Sequence, residues 1–395
     1  MKRGELRIKI ETEDVNCNPD NVAQMTEEQI LAEHHRRATL DPGAPDKPGM
    51  PPKAWIYHDQ VSYEDELETL WGKKWGAQGI GKLKEVFLNP PCDTEMRVWE
   101  EAKHARTQYD SSKVPDIKRW QEQYEGMVKA YRDNGVLVHE LIVPDPVIGP
   151  YGLTKWIWAM TDAAIVLNGG AVIPRPGYFG RQKGRNPLWQ RALAELGVPI
   201  IYSVRGKGVA EIGGCVWLDD QHFIVEDGTI MNREGINQLK PIFAMSNAKL
   251  VVLHSPGYYE NTEWPAGGTS HTDMIVAIPD IGLAVIAPYM CDFAFIKFLK
   301  RIDFDIIEVP PEEYNTAVYN MVNLEPGKVL CPAGAEKTIK AMENWGIKVV
   351  AIPFDECMKG GGGIHCSTCQ LVRDPGPLVP KLQQTPLEEL APELL

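Results

Sequence analysis

Near the C-terminus the run Gly360-Gly361-Gly362-Gly363-Ile364-His365-Cys366-Ser367-Thr368-Cys369 delivers the backbone into a His-Cys pair. Consecutive glycines open backbone angles closed to other residues and let chain or ligand approach closely. Leu371 and Val372 follow as a short strand that fixes the far end of the loop, so the thiol sits on a held edge. Cys366 is the candidate nucleophile. Two other readings attach to the same residues. Cys366 and Cys369 form a Cys-x-x-Cys, which suits a redox pair or half a zinc site. A structural zinc site needs four ligands, and no second Cys-x-x-Cys occurs in the chain. Cys357 and His365 would complete a set, at a spacing that fits no common pattern.

The elements that must position this thiol read as a globular α/β protein. The chain has 395 residues, 44% hydrophobic and 24% charged, with a formal net charge of -13. An acidic balance without clustered Lys and Arg argues against nucleic-acid partners and suits a cationic small molecule. No apolar run is long enough to span a membrane. The basic start leads into acidic sequence, with no apolar signal core, so the expected location is the cytoplasm. Eight scattered cysteines show no framework spacing, which fits reduced thiols.

Residues 1–80 form an N-terminal extension. In the segment Val61 to Trp75, Leu67, Leu70, Trp71 and Trp75 recur at helical spacing, and their stripe suits core, a lid or a subunit contact, which admits a homo-oligomer. From Gly81 strand and helix patterns alternate. Strands are predicted at Leu83–Leu88, Val136–Ile142, Ala163–Leu167, Ile200–Val204, Lys249–Leu253, Met274–Ile278, Leu283–Ala287, Ile306–Val309 and Lys348–Ile352. Helices are predicted at Ile117–Asn134, Leu188–Leu196, Arg233–Leu239 and Ala335–Asn344. Residues 81–375 are thus expected to form the domain that carries the candidate nucleophile. Residues 376–395 are read as a C-terminal tail, a loose arm or a short docking helix.

The run from Ile80-Gly81-Lys82-Leu83 to Gly363-Ile364-His365-Cys366-Ser367-Thr368 resembles the guanidino-group modifying enzymes of the pentein fold, the arginine deiminases and glycine amidinotransferases. The resemblance also covers Met160-Thr161-Asp162-Ala163-Ala164, Glu211-Ile212-Gly213-Gly214 and Gly268-Thr269-Ser270-His271-Thr272-Asp273, in the family's order. It implies an α/β propeller of pseudo-repeated strand–helix modules around a central active-site channel. It also implies that Asp162 holds the guanidinium, that Glu211 supports the catalytic His271, and that Arg233, after Met231-Asn232, binds the substrate carboxylate. Arg175, Arg181 and Arg185 form a further basic cluster. Many deiminases carry an aspartate after the Glu-Gly-Gly glycines, where Cys215 stands here.

The chemistry gives each residue a reason. A planar guanidinium presents a rigid fork of N–H donors, for which two carboxylates, Asp162 and Asp273, are the natural clamp. Cys366 attacks the central carbon, and His271 protonates the departing nitrogen and activates the incoming water or amine. In an extended segment residues i and i+2 share a face, which would turn His271 and Asp273 into one pocket. Taken singly, Asp162 also fits a helix cap, Asp273 a solvated acid and His271 a structural histidine. The first reading is a hydrolase of a guanidine-type or ureido substrate acting through a thiouronium on Cys366, with no metal or organic cofactor required. The alternative is an amidinotransferase, since His-Cys-x-Thr-Cys occurs on that side of the family. The remote alternative is a zinc or thiol-redox module.

Overall fold

In a computed structural model of the chain the described residues are 7–9, 26–39, 62–91, 115–142, 148–149, 152–153, 164–177, 186–228, 230–254, 271–359 and 362–395. The chain divides into two compact units, Glu11–Lys74 and the remainder, Met1–Ile10 with Trp75–Leu395. The smaller unit holds helices α1 (Glu27–Thr39) and α2 (Tyr63–Trp71). Leu67 on α2 is buried, as its place in the apolar stripe predicts; the side chains of Leu70 and Trp71 lie outside the described residues.

The larger unit begins with strand β1 (Arg7–Lys9), so residues 7–9 belong to its sheet and not to a separate extension. Next come β2 (Leu83–Leu88), α3 (Ile117–Asp133) and β3 (Leu137–Ile142), followed by a small hairpin of β4 (Ile148–Gly149) and β5 (Gly152–Leu153). The pattern then repeats. β6 (Ile165–Leu167) pairs antiparallel with β7 (Gly170–Ile173), α4 (Asn186–Glu195) crosses over, and β8 (Ile200–Ser203) returns parallel to β7. The same order holds for β9 (Val216–Asp219), β10 (His222–Asp227), α5 (Arg233–Met245) and β11 (Lys249–His254). It recurs for β12 (Val276–Asp280), β13 (Leu283–Ile286), α6 (Phe293–Arg301) and β14 (Asp305–Glu308), and for β15 (Val322–Glu325), β16 (Lys328–Pro332), α7 (Glu336–Trp345) and β17 (Lys348–Ile352). After α8 (Asp355–Lys359), the last strand, β18 (Cys369–Arg373), pairs antiparallel with β2 and completes the first unit of the repeat. Each sheet is small and open.

Local chemistry sets these elements. The Asp116 carboxylate accepts from the Arg119 N–H and caps α3, whose Trp120, Tyr124, Met127, Val128 and Tyr131 recur at three- and four-residue steps and are buried. Asp292 caps α6 in the same way, and Phe295 and Phe298 behind it are fully buried, each contributing about 1.5–3 kcal/mol. The predicted tail proves to be core. Val379, Leu382, Leu387, Ala391 and Leu394, on α9 (Pro380–Gln384), α10 (Leu387–Leu390) and the residues around them, pack into the cluster that holds Phe295 and Phe298. The buried Asp219 and the neighbouring Asp220 accept the N–H groups of Val379 and Gly376 at 2.9 and 2.7 Å, so the segment is bonded as well as packed. Among the described residues no helix is long and apolar enough to cross a membrane.

Candidate active site

Cys366 lies in a tight turn at the mouth of β18 and is buried. Its loop is tied at both ends. The Ser367 and Thr368 hydroxyls donate to the carbonyls of Gly363 and Ile364, both at 2.8 Å, and the Thr368 hydroxyl also meets the Tyr131 hydroxyl of α3. These bonds account for the Ser-Thr pair after the cysteine. Gly362 has φ +89°, and a Cβ there would lie 2.3 Å from Cys366 Cβ and 2.8 Å from its Sγ. Gly362→Ala therefore combines a left-handed backbone with a clash on the nucleophile itself. A loss of activity of about 100-fold is expected, with destabilisation of about 1–3 kcal/mol, measured by steady-state kinetics and denaturant melts.

His271 precedes a 3₁₀ turn, Thr272–Met274, and its Nε2 lies 2.9 Å from Oε2 of the buried Glu211. The other Glu211 oxygen accepts the Gly177 N–H at 3.2 Å, which fixes the carboxylate. Gly214 explains its place in the Glu-Ile-Gly-Gly run, because an added Cβ would lie 2.6 Å from Cγ of His271. The imidazole thus rests on bare backbone. Asp273 is buried, and its Oδ2 accepts from His365 Nδ1 at 2.9 Å and from Cys366 Sγ at 3.3 Å. Its Oδ1 is buried with no hydrogen-bond partner among the described residues. The extended geometry expected for residues 271–273 does not occur, since the 3₁₀ turn intervenes and β12 starts at Val276. The turn nevertheless brings one ligating atom each of His271, Asp273 and Cys366 within 4.8 Å of one another.

Burial, and then the Asp273 carboxylate, push the Cys366 thiol up to about 11, while hydrogen bonding and charge from His271 and a hydrogen bond from Asn320 oppose the rise. The unliganded site therefore holds a thiol at neutral pH. Asn320 carries no signal in the sequence. It lies 46 residues from Cys366 in the chain, and folding alone brings its amide to the cysteine. His365 is likewise more than a neighbour in a motif, because its ring holds Asp273.

Asp162, Arg181 and Arg185 lie outside the described residues. Arg233 opens α5, where it pairs with Asp227 at 2.6 Å and donates toward the Leu395 carbonyl, and none of these bonds reaches the Cys366 cluster. Arg175 serves the backbone, donating to the Gly208 carbonyl at 2.7 Å. Cys215 is buried against the site, with its thiol pushed up to about 12 by burial. The set of Cys357, Cys366 and Cys369 does not form. Cys357 faces the Trp120 carbonyl and Cys369 the Ala164 carbonyl, and neither belongs to the metal-capable group found among the described residues.

The arginine deiminase family model matches residues 278–373, the stretch that carries Asn320, His365 and Cys366. A 2-nitroimidazole nitrohydrolase of Mycobacterium sp. (strain JS330) is 26% identical over 343 residues, 81% of this chain and 87% of that one. The dimethylarginine dimethylaminohydrolase of Pseudomonas aeruginosa is 22% identical over 258 residues, 64% of this chain and 88% of that one. Its structure superposes with a TM-score of 0.54 at 19% identity, over 73% of this chain and 99% of that one. SxtG, an amidinotransferase of Microseira wollei, superposes with a TM-score of 0.56 at 16% identity, over 76% of this chain and 97% of that one. The deiminase-matching segment and the shared fold agree: residues 278–373 match the arginine deiminase family, and the chain shares its α/β fold with the dimethylarginine dimethylaminohydrolase and with SxtG.

Proposed function

We propose that the protein is a cysteine-dependent hydrolase that acts at a carbon flanked by nitrogens, first of all the central carbon of a guanidine. One observation carries this reading: a buried thiol, an imidazole and a carboxylate meet within 4.8 Å, and a second buried carboxylate orients the imidazole. The unpartnered Oδ1 of Asp273 is an acceptor suited to a substrate N–H, and Asp162 is the proposed second arm of the clamp. Arg233 remains the family-derived proposal for a substrate carboxylate, and its pairing with Asp227 speaks for a structural role instead.

In this account the substrate cation lowers the cost of the thiolate, and the thiol proton passes to His271. Sγ bonds to the carbon, His271 returns the proton to the leaving nitrogen, and ammonia or an amine departs, leaving a thiouronium on Cys366. Water then gives a proton to His271 and attacks the same carbon. The C–S bond breaks, the thiol is restored, and a urea-type product leaves. The residues named suffice for these steps without a metal or cofactor. The five repeated units support a propeller around the site: β18 contacts β6, Arg175 bridges to Ala210, β9 contacts β12, β12 contacts β16, and β15 contacts β2, which brings the order back to the first unit.

A second reading has its own support in the nitrohydrolase relative, whose match covers most of both chains. C2 of a 2-nitroimidazole also lies between two nitrogens, so Sγ attack there would expel nitrite and water would release the imidazolone. An amidinotransferase would share the first half-reaction and discharge the thiouronium to an amine. The test is product analysis by mass spectrometry with arginine, methylated arginines, agmatine and 2-nitroimidazole, with and without glycine or ornithine. A ureido product without acceptor supports the hydrolase, nitrite release the second reading, and acceptor-dependent product the transferase. Consumption of none of them removes the proposal.

A further inference from the structure

Asn320 touches the nucleophile twice. Its Oδ1 accepts the backbone N–H of Cys366 at 3.1 Å, and because a backbone N–H can only donate, this bond fixes which end of the amide is oxygen. Nδ2 is thereby directed at Cys366 Sγ, 3.2 Å away, and at the Asp273 carbonyl, 3.3 Å away. The Asn320 backbone carbonyl also accepts the His365 N–H at 3.3 Å. The side chain is fully buried, and Gly363 exists to admit it, since a Cβ at that position would lie 2.6 Å from Asn320 Oδ1. Two glycines of the run therefore have separate tasks, Gly362 for the cysteine and Gly363 for the asparagine.

We propose that Asn320 is a positioning residue that fixes the Cys366 backbone and stabilises its thiolate through the side-chain amide. The inference rests on the reading of Cys366 as nucleophile given above. Its logic is a difference between the two states of the sulfur. The thiol donates to Asp273 Oδ2, and loss of the proton turns that contact into repulsion between two anions. The Nδ2–H bond changes in the other direction and becomes charge-assisted when the sulfur ionises. Asn320 is thus a neutral donor whose contact improves at the step where the nucleophile forms. A substrate without a positive charge depends on it most.

The experiment measures iodoacetamide alkylation of Cys366 by peptide mass spectrometry from pH 6 to 11 in the wild type, Asn320→Ala and Asn320→Ser, with folding checked by circular dichroism. It needs no substrate. The alanine protein should alkylate about tenfold more slowly at pH 8, its profile moved up by about one unit. Serine, which can donate to sulfur, should restore part of the rate. Coincident profiles, or failure of both variants to fold, would overturn the assignment by making the amide a prop of the fold. Turnover that survives Cys366→Ala would instead overturn the reading of the nucleophile and leave the alkylation result standing by itself.

Discussion

Cys366→Ala is expected to abolish turnover, by at least about 10⁴-fold, while the protein keeps its fold. The size of the effect follows from the nucleophile's position in the sequence of steps: without sulfur no covalent adduct forms, and water must attack the resonance-stabilised carbon unaided. The fold survives because the loop is held by other groups, the Ser367 and Thr368 hydroxyls, the Thr368–Tyr131 contact and the pairing of β18 with β2. Removing the sulfur also leaves Asn320 Oδ1 on the backbone N–H, which does not depend on the side chain. Steady-state kinetics beside a thermal melt check both halves. Activity within about tenfold of wild type would remove Cys366 from the chemistry.

His271→Ala is expected to lower kcat by about 10³-fold, within the range for loss of a general acid and base. In the proposed mechanism this ring takes the thiol proton, protonates the leaving nitrogen and activates water, so the loss should fall mainly on kcat and little on KM. The ring also pulls the thiol down against burial and Asp273, so alkylation of Cys366 should slow in the same variant. Its removal leaves Glu211 buried with one oxygen still bonded to Gly177 and the other without the imidazole, at a cost of about 1–3 kcal/mol. A kcat within tenfold of wild type, or an unchanged alkylation rate, would show that the imidazole only props Glu211.

The sequence carries some of this architecture openly. Strands such as Leu83–Leu88 and Lys348–Ile352 stand where they are predicted, because Val86 and Phe87 in the first and Val349, Val350 and Ile352 in the second are the β-branched and aromatic residues that a pleated strand favours. β7, β9, β10, β15 and β16 are short members of tight hairpins, and four to six residues joined through turns such as Asp219–Gln221 offer too little periodicity to read. The tail misled because prolines and Leu-Glu repeats look solvated, while the leucines turn inward between them. At the candidate site, Cys366, His271, Asp273 and Glu211 could be proposed from sequence because each sits in a local motif. Asn320 could not, since its role depends on a contact made across 46 residues of chain, and the 3₁₀ turn that aims Asp273 replaced the strand its spacing suggested.

The most direct measurement is acid-quenched peptide mapping of the His271→Ala protein during turnover of the substrate identified in the panel. Slowed discharge of the thiouronium should let it accumulate, and the peptide bearing Cys366 should gain the mass of the substrate less its leaving group, decaying as product appears. Product formed at the same rate while that peptide stays unmodified throughout, or a modification that maps to another residue, would contradict the account.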